Sequence, residues 1–168
     1  FELTKISPFP WDKMFKRELI KDAKFEENLR FEDLLYVHSL LPKVKSIGVV
    51  SAPLYNYRRT NTGGFLNTFT KATLDIVIVF RKLVECYKQQ GIFEYYKDEI
   101  EYLCIRHLYF RYVNFFKQGK DNGKLSLKLE LIDEAAKLLK EQFPDWKNNH
   151  YLKYSARKDL RDNHNLYF

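Results

Sequence analysis

Cysteine is scarce: Cys86 and Cys104 are the only two, far apart and without CxxC spacing. That excludes a disulfide scaffold and argues against a zinc site. Both fall in apolar helical surroundings, where a free buried thiol is the usual state, and both suit a reducing compartment. Long hydrophobic runs are missing as well. The longest, Ile76 to Phe80, is far short of the roughly 20 residues a membrane span needs, and no signal peptide is visible. The sequence contains no Walker loop, no GxGxxG and no pair of aspartates separated by one residue, so it has no D-x-D metal clamp. The histidines His38, His107, His150 and His164 form no metal-binding spacing. No Ser/His/Asp or Cys/His arrangement is present. A dense basic stripe is absent too: the net charge of +7 is diluted along the chain. Net charge alone would suit nucleic acid, phosphates or an anionic membrane surface. Its even spread leaves nucleic-acid binding without support.

What the sequence has is core. Apolar residues make up 45% and aromatics 17%, with 14 Phe and 12 Tyr, enough to bury a sizeable interior. The length of 168 residues suits one domain, or a half-domain with a helical extension. The chain opens at Phe1 without Met and is expected to be a piece of a longer protein.

Two regions read differently. Residues 1–66 mix short helices and strands, punctuated by Pro and Gly. Trp11 to Ile20 reads as a helix, because Trp11, Met14, Phe15 and Leu19 share one face. Leu29-Arg30-Phe31 reads as extended, and Glu32 to Leu41 as a helix ended by Pro42. Ser46 to Tyr57 is strand-like, with Pro53 marking an edge or a change of direction. Residues 67–168 read as successive amphipathic helices. Thr68 or Thr70 caps the first, which runs to about Gln90 with Gly91 as its stop. The second, about Phe93 to Lys117, is apolar nearly all round and is expected to pack on several neighbours. Asp121-Asn122-Gly123 signals a turn. The third starts at Ser126, carries Leu129, Ile132, Ala136, Leu139 and Phe143 on one stripe, and ends at Pro144.

Two groups could do chemistry. The Glu32-Asp33 pair stands where an extended segment meets a helix N-terminus, a place that favours negative charge. A carboxylate there can take a proton from a sugar hydroxyl within hydrogen-bond reach; acidic residues in a first turn also serve simply as caps. Tyr55-Asn56-Tyr57-Arg58-Arg59 is the second group. Its arginines suit phosphate oxygens, and the following Thr60-Asn61-Thr62-Gly63-Gly64 is small and polar enough to move over a ligand. A solvated surface loop explains the same residues.

Three blocks, Pro10-Trp11-Asp12-Lys13-Met14-Phe15-Lys16-Arg17-Glu18-Leu19, Leu29-Arg30-Phe31-Glu32-Asp33-Leu34 and Pro53-Leu54-Tyr55-Asn56-Tyr57-Arg58, resemble in order and spacing the later half of family 2 glycosyltransferases of the GT-A fold. Phe143-Pro144-Asp145-Trp146-Lys147 resembles a segment of the C-terminal helical extensions of capsule-type members. The resemblance implies an α+β, mostly helical fold. Residues 1–66 would be the acceptor-side part of the GT-A domain, with few short strands, and residues 67–168 a C-terminal helical bundle. It also implies inverting, hexosyl-type transfer from a nucleotide-diphosphate sugar to a saccharide or lipid-linked acceptor in surface polysaccharide synthesis. Asp33 falls on the position of the catalytic base, and Glu32 on its orienting or acceptor-contacting neighbour. Lys13, Trp11, Tyr57, Arg58 and Arg59 are the substrate-binding candidates. A divalent cation, Mg or Mn, belongs to the intact parent, and none is expected in this chain, which lacks the donor-binding half and is expected to be inactive alone. Two departures stand out: where the family continues Y-R-x-R-x-x-S, this chain has Thr60 and Gly63, so only Arg59 is left to substitute. The expected location is cytoplasmic, peripheral to the inner membrane face. The alternative reading is a helical interaction module, for oligomerisation or membrane-surface docking through the basic, aromatic residues of 67–168.

Overall fold

The computed structural model describes residues 3–58, 69–110 and 125–152. They build five α-helices: α1 (Arg17–Ile20), α2 (Glu32–Leu40), α3 (Asp75–Gln89), α4 (Phe93–Ile105, continued by one π-turn over Arg106–Phe110) and α5 (Leu125–Gln142). Short 3₁₀ turns at Leu3–Lys5, Pro10–Asp12, Leu41–Lys43, Lys71–Leu74 and Trp146–Asn148 join them.

No strand exists among the described residues, which corrects the α+β expectation: the described chain is helical. Ser46 to Tyr57 runs exposed and without regular structure. Strand propensity is present in Ile47, Val49 and Val50, but a strand exists only when a neighbour completes its hydrogen-bond ladder. Here no described segment does so. Val49 is 90% exposed and Leu54 78%, so the apolar side chains that mimic a buried strand face solvent.

The helix expected over Trp11 to Ile20 is also corrected. A 3₁₀ turn at Pro10–Asp12 gives way to extended backbone at Lys13 and Lys16, and only Arg17–Ile20 is α-helical. Met14 is fully exposed, while Phe15 and Leu19 pack on α2. Leu29-Arg30-Phe31 forms a turn rather than an extended segment. Phe31 adopts φ +66°, a left-handed conformation uncommon outside glycine.

Elsewhere local chemistry and structure agree. Thr70 and Thr73 form a capping box ahead of α3: the Thr70 side chain accepts from Thr73 N–H, and Thr73 Oγ1 accepts from Thr70 N–H (3.1 Å). Gly91 stops α3 at φ +69°, and Ile92 N–H donates back to Tyr87 O (3.1 Å). That six-to-one closure satisfies an otherwise orphan carbonyl. The β-branched run Ile76 to Val79 is helical because its position in a long element decides it; Ile76, Val77 and Val79 turn inward.

α3 is the central element, packed against α2, α4 and α5. Val79, Phe80, Leu83 and Tyr87 on α3 are fully buried, as are Ile100 and Cys104 on α4. Residues 100–105 of α4 are buried all round, the pattern expected of a helix with several neighbours; the remainder of that expected helix and the Asp121-Asn122-Gly123 turn lie outside the described residues. On α5 the inward residues are Leu131, Leu138 and Leu139, followed by Phe143, whose ring lies 6.1 Å from that of Phe93. Leu129 and Ile132, expected inside, are 57% and 55% exposed. Leu139 and Phe143 of the expected stripe are buried, whereas Leu129, Ile132 and Ala136 are exposed, and Leu131 and Leu138 turn inward in their place. Asn149 fastens the chain beyond α5 to α4: its side-chain amide donates to Asp98 O (2.8 Å) and to the Glu101 carboxylate. No helix among the described residues is long and apolar enough to cross a membrane.

Candidate functional site

The N-terminal segment, α2 and the residues before α3 bring the sequence blocks together. Trp11 is the hub of the first block. Its ring lies parallel to Phe9 (centroids 4.6 Å), Tyr57 (5.7 Å) and Tyr55 (6.1 Å), so the first and third blocks meet through stacked aromatics. Such offset stacks add about 0.5–1.5 kcal/mol each beyond area burial. Phe15 of the first block meets Tyr36 of α2 edge-on at 6.4 Å, which joins it to the helix opened by Glu32-Asp33. The turn before that helix is tied to α3 by Arg30 N–H donating to Asp75 Oδ2 (3.0 Å).

All the expected site residues except Arg59 fall among the described residues. Asp33 is half-buried in the first turn of α2, and its Oδ1 accepts from Leu34 N–H at 2.8 Å. That is the helix-end role open to any first-turn carboxylate. Glu32, half-buried beside it, takes no side-chain partner among the described residues and turns toward a surface cleft. The adjacent carboxylates therefore face different surroundings. Lys13 Nζ donates to Ser7 Oγ (2.7 Å) and Phe9 O (2.9 Å) and pairs with Asp12. All three donors of its ammonium group are engaged in bracing the turn that presents Trp11. Tyr57 and Arg58 are exposed. Arg59 and the Thr60–Gly64 loop lie outside the described residues.

The cleft is the feature sequence reasoning missed. It runs between α2, α3 and the segment around Lys24 in two lobes of about 420 and 380 Å³. Lys24, Tyr36, Ser39 and Cys86 line both lobes, which makes them one groove. Glu32 lines the second lobe and Glu18 of the first block lines the first. Asp33 lines neither. The signal existed in the sequence as the polar stripe Lys82, Glu85, Gln89 on α3. Helical spacing alone cannot separate a groove wall from an ordinary solvated face.

Buried titratable groups lie behind this surface. His38 is fully buried on α2, with Nδ1 3.0 Å from Leu34 O and Nε2 without a partner. Burial, helped by the charges of Lys13 and Arg106, brings its pKa down to about 4 against the opposing Leu34 hydrogen bond. The imidazole is neutral at physiological pH, with Nδ1–H donating to the carbonyl. Burial also pushes the Cys104 thiol up out of the reactive range, which marks it as a core residue.

The described residues hold no group of three or more His, Cys, Asp or Glu side chains able to hold a metal ion. Comparison with protein-family models, with curated proteins and with solved structures returned no match.

Proposed function

We propose that this chain handles the acceptor in an inverting sugar transferase, presenting a saccharide hydroxyl to the Asp33 carboxylate. The supporting observation is the convergence of the blocks: Trp11 stacks on Tyr55 and Tyr57, while Phe15 of the same block seats against Tyr36 of α2. Residues far apart in sequence thus meet through stacked rings, and the same first block reaches the helix that Glu32 and Asp33 open. Exposed aromatic faces and adjacent carboxylates are the groups that recognise a sugar, through its C–H face and its hydroxyls. In the proposed reaction Asp33 accepts the hydroxyl proton as the acceptor oxygen attacks the anomeric carbon. The bond to the diphosphate breaks, and the diphosphate departs with its electron pair. Glu32 contacts the acceptor. Donor binding belongs to a part of the parent enzyme that this chain does not supply, and acceptors carried on lipid would place the protein at the inner membrane face.

Asp33→Asn in a transferase that contains this chain should lower kcat by about 10²–10⁴-fold, the range general bases contribute, and leave donor binding unchanged. Glu32→Gln should act mainly on acceptor KM. Near-normal turnover by Asp33→Asn removes Asp33 as the base.

A second reading, a helical interaction module, is favoured by one observation. Leu125, Leu129 and Ile132 form an apolar stripe along α5 that is 64%, 57% and 55% exposed, a pattern suited to a second copy of the chain or an anionic membrane surface.

A further inference from the structure

We infer that the groove between α2 and α3 is the binding track for the acceptor chain, and that it takes an uncharged or amino-substituted oligosaccharide and rejects an acidic one. The inference rests on the sugar-transferase reading and adds to its aromatic surface a second one, lined by Glu32 of the acidic pair and by Tyr36. Shape comes first. The two lobes share Lys24, Tyr36, Ser39 and Cys86, so they adjoin and offer room for more than one sugar ring. Each lobe falls within the roughly 300–1,000 Å³ of small-molecule sites.

The lining decides the chemistry. Glu18, Asp22, Glu26, Glu32 and Glu85 contribute carboxylates. Lys24, Lys43 and Lys82 contribute positive charge; Lys82 and Glu26 cancel at 3.0 Å and Asp22 pairs with Lys21 at 3.9 Å, which leaves Glu18, Glu32 and Glu85 against Lys24 and Lys43. The groove is therefore net acidic in a chain of net charge +7. Local sign opposes global sign, and an anionic ligand would meet repulsion from the walls. Gln89, Gln90 and Ser39 add carboxamides and a hydroxyl. Acceptors and short polar donors in this mixture match a ring of hydroxyls, each of which both donates and accepts. An apolar ligand would leave the carboxylates desolvated and unpaired.

Rigidity supports the same conclusion. The Tyr36 ring in the floor is held parallel to Phe25 at 3.9 Å and edge-on to Phe15 at 6.4 Å. Gln89 is oriented by Glu85 (3.0 Å), and Gln90 by Cys86 O (3.2 Å). A floor and wall set in advance lower the ordering cost of binding. The carboxylates of Glu18 and Glu32, in different lobes, have no side-chain partner among the described residues. They remain available to incoming hydroxyl or ammonium donors. Glu32, the sequence neighbour of Asp33, lines the second lobe.

Cys86 supplies the assay, because it is half-buried in the groove while Cys104 is fully buried. The rate of Cys86 alkylation by iodoacetamide is measured on this chain with maltotriose, a glucosamine trimer or trigalacturonate, and Cys86→Ala serves as the blank. The neutral and amino sugars should slow alkylation about fivefold once present at about four times their Kd, and trigalacturonate should leave it unchanged. Glu32→Gln should weaken that protection while leaving the far-ultraviolet circular dichroism intact. Equal protection by trigalacturonate, or none by any sugar, overturns the inference. Trp11 emission in a Trp146→Phe background separates the two readings. Sugar-dependent Trp11 emission with unprotected Cys86 removes the groove and keeps the transferase reading. Protected Cys86 alongside full turnover by Asp33→Asn keeps the groove and removes Asp33 from its role.

Discussion

His38 illustrates what single residues contribute here. Its ring is buried on α2 with one nitrogen bound to Leu34 O, and its own carbonyl accepts from the Tyr87 hydroxyl at 2.8 Å. With a folded pKa of about 4 against an ordinary 6.5, His38 is neutral in folded and unfolded chains above pH 6.5. Between pH 6.5 and about 4 only the unfolded chain is protonated. Its contribution is thus present above pH 6.5 and is lost as pH falls toward 4, by up to roughly 3 kcal/mol. Urea melts at several pH values should show that loss, and His38→Leu should flatten the slope in this window. An unchanged slope would mean that other groups set it. Asp33 and Glu32 show the limit of residue-level reading. The pair is visible in sequence, but which carboxylate meets Leu34 N–H and which meets the groove follows from the helical turn that separates them by about 100°.

Among the elements, the helices were legible where their ends carry a local stop. Thr70 before α3, Gly91 after it, Pro42 after α2 and Pro144 after α5 all stand within a few residues of the observed ends. These devices act over one turn, so they need no tertiary partner. Thr70→Ala should cost about 1 kcal/mol through the lost cap. Gly91→Ala should cost about 1–2 kcal/mol because an L side chain resists the left-handed region; nothing within 4 Å would meet its Cβ, so the penalty is conformational and not steric. Thermal unfolding of both variants checks these values, and a neutral Gly91→Ala would refute the strained-stop account. The segment 46–57 was not legible. Its β-branched residues state a preference that only a partner strand could realise, and none of the described residues offers one.

For the whole molecule, α3 organises the interior, and the chain beyond α5 is locked to α4 through Asn149 and Glu101. Burial raises the Glu101 pKa, and the Asn149 hydrogen bond opposes that rise. Asn149→Ala should therefore push it higher and destabilise the fold at neutral pH by about 1–3 kcal/mol, the cost of an unsatisfied buried group. The deficit should shrink as falling pH protonates Glu101; a pH-independent deficit would assign Asn149 to packing alone. At the same scale, the exposed α5 stripe makes the interaction-module reading testable. Light scattering should report self-association that Leu129→Glu abolishes, and vesicles of anionic lipid should co-sediment the chain if the membrane is the partner instead. A monomer indifferent to both would leave the stripe as exposed surface.

By itself the sequence determined the ends of α2 and α3 and the stop after α5, the buried character of the second half of α4 and the presence of an acidic pair at the head of α2, because each depends on contacts within a turn or on composition. Only the tertiary structure decided that Leu131 and Leu138 of α5 turn inward while Leu129 and Ile132 stay outside, that residues 46–57 form no sheet among the described residues, and that a polar face of α3 becomes one wall of a groove. Those outcomes depend on which surfaces meet across the fold, and periodicity along a chain describes a surface without naming its neighbour.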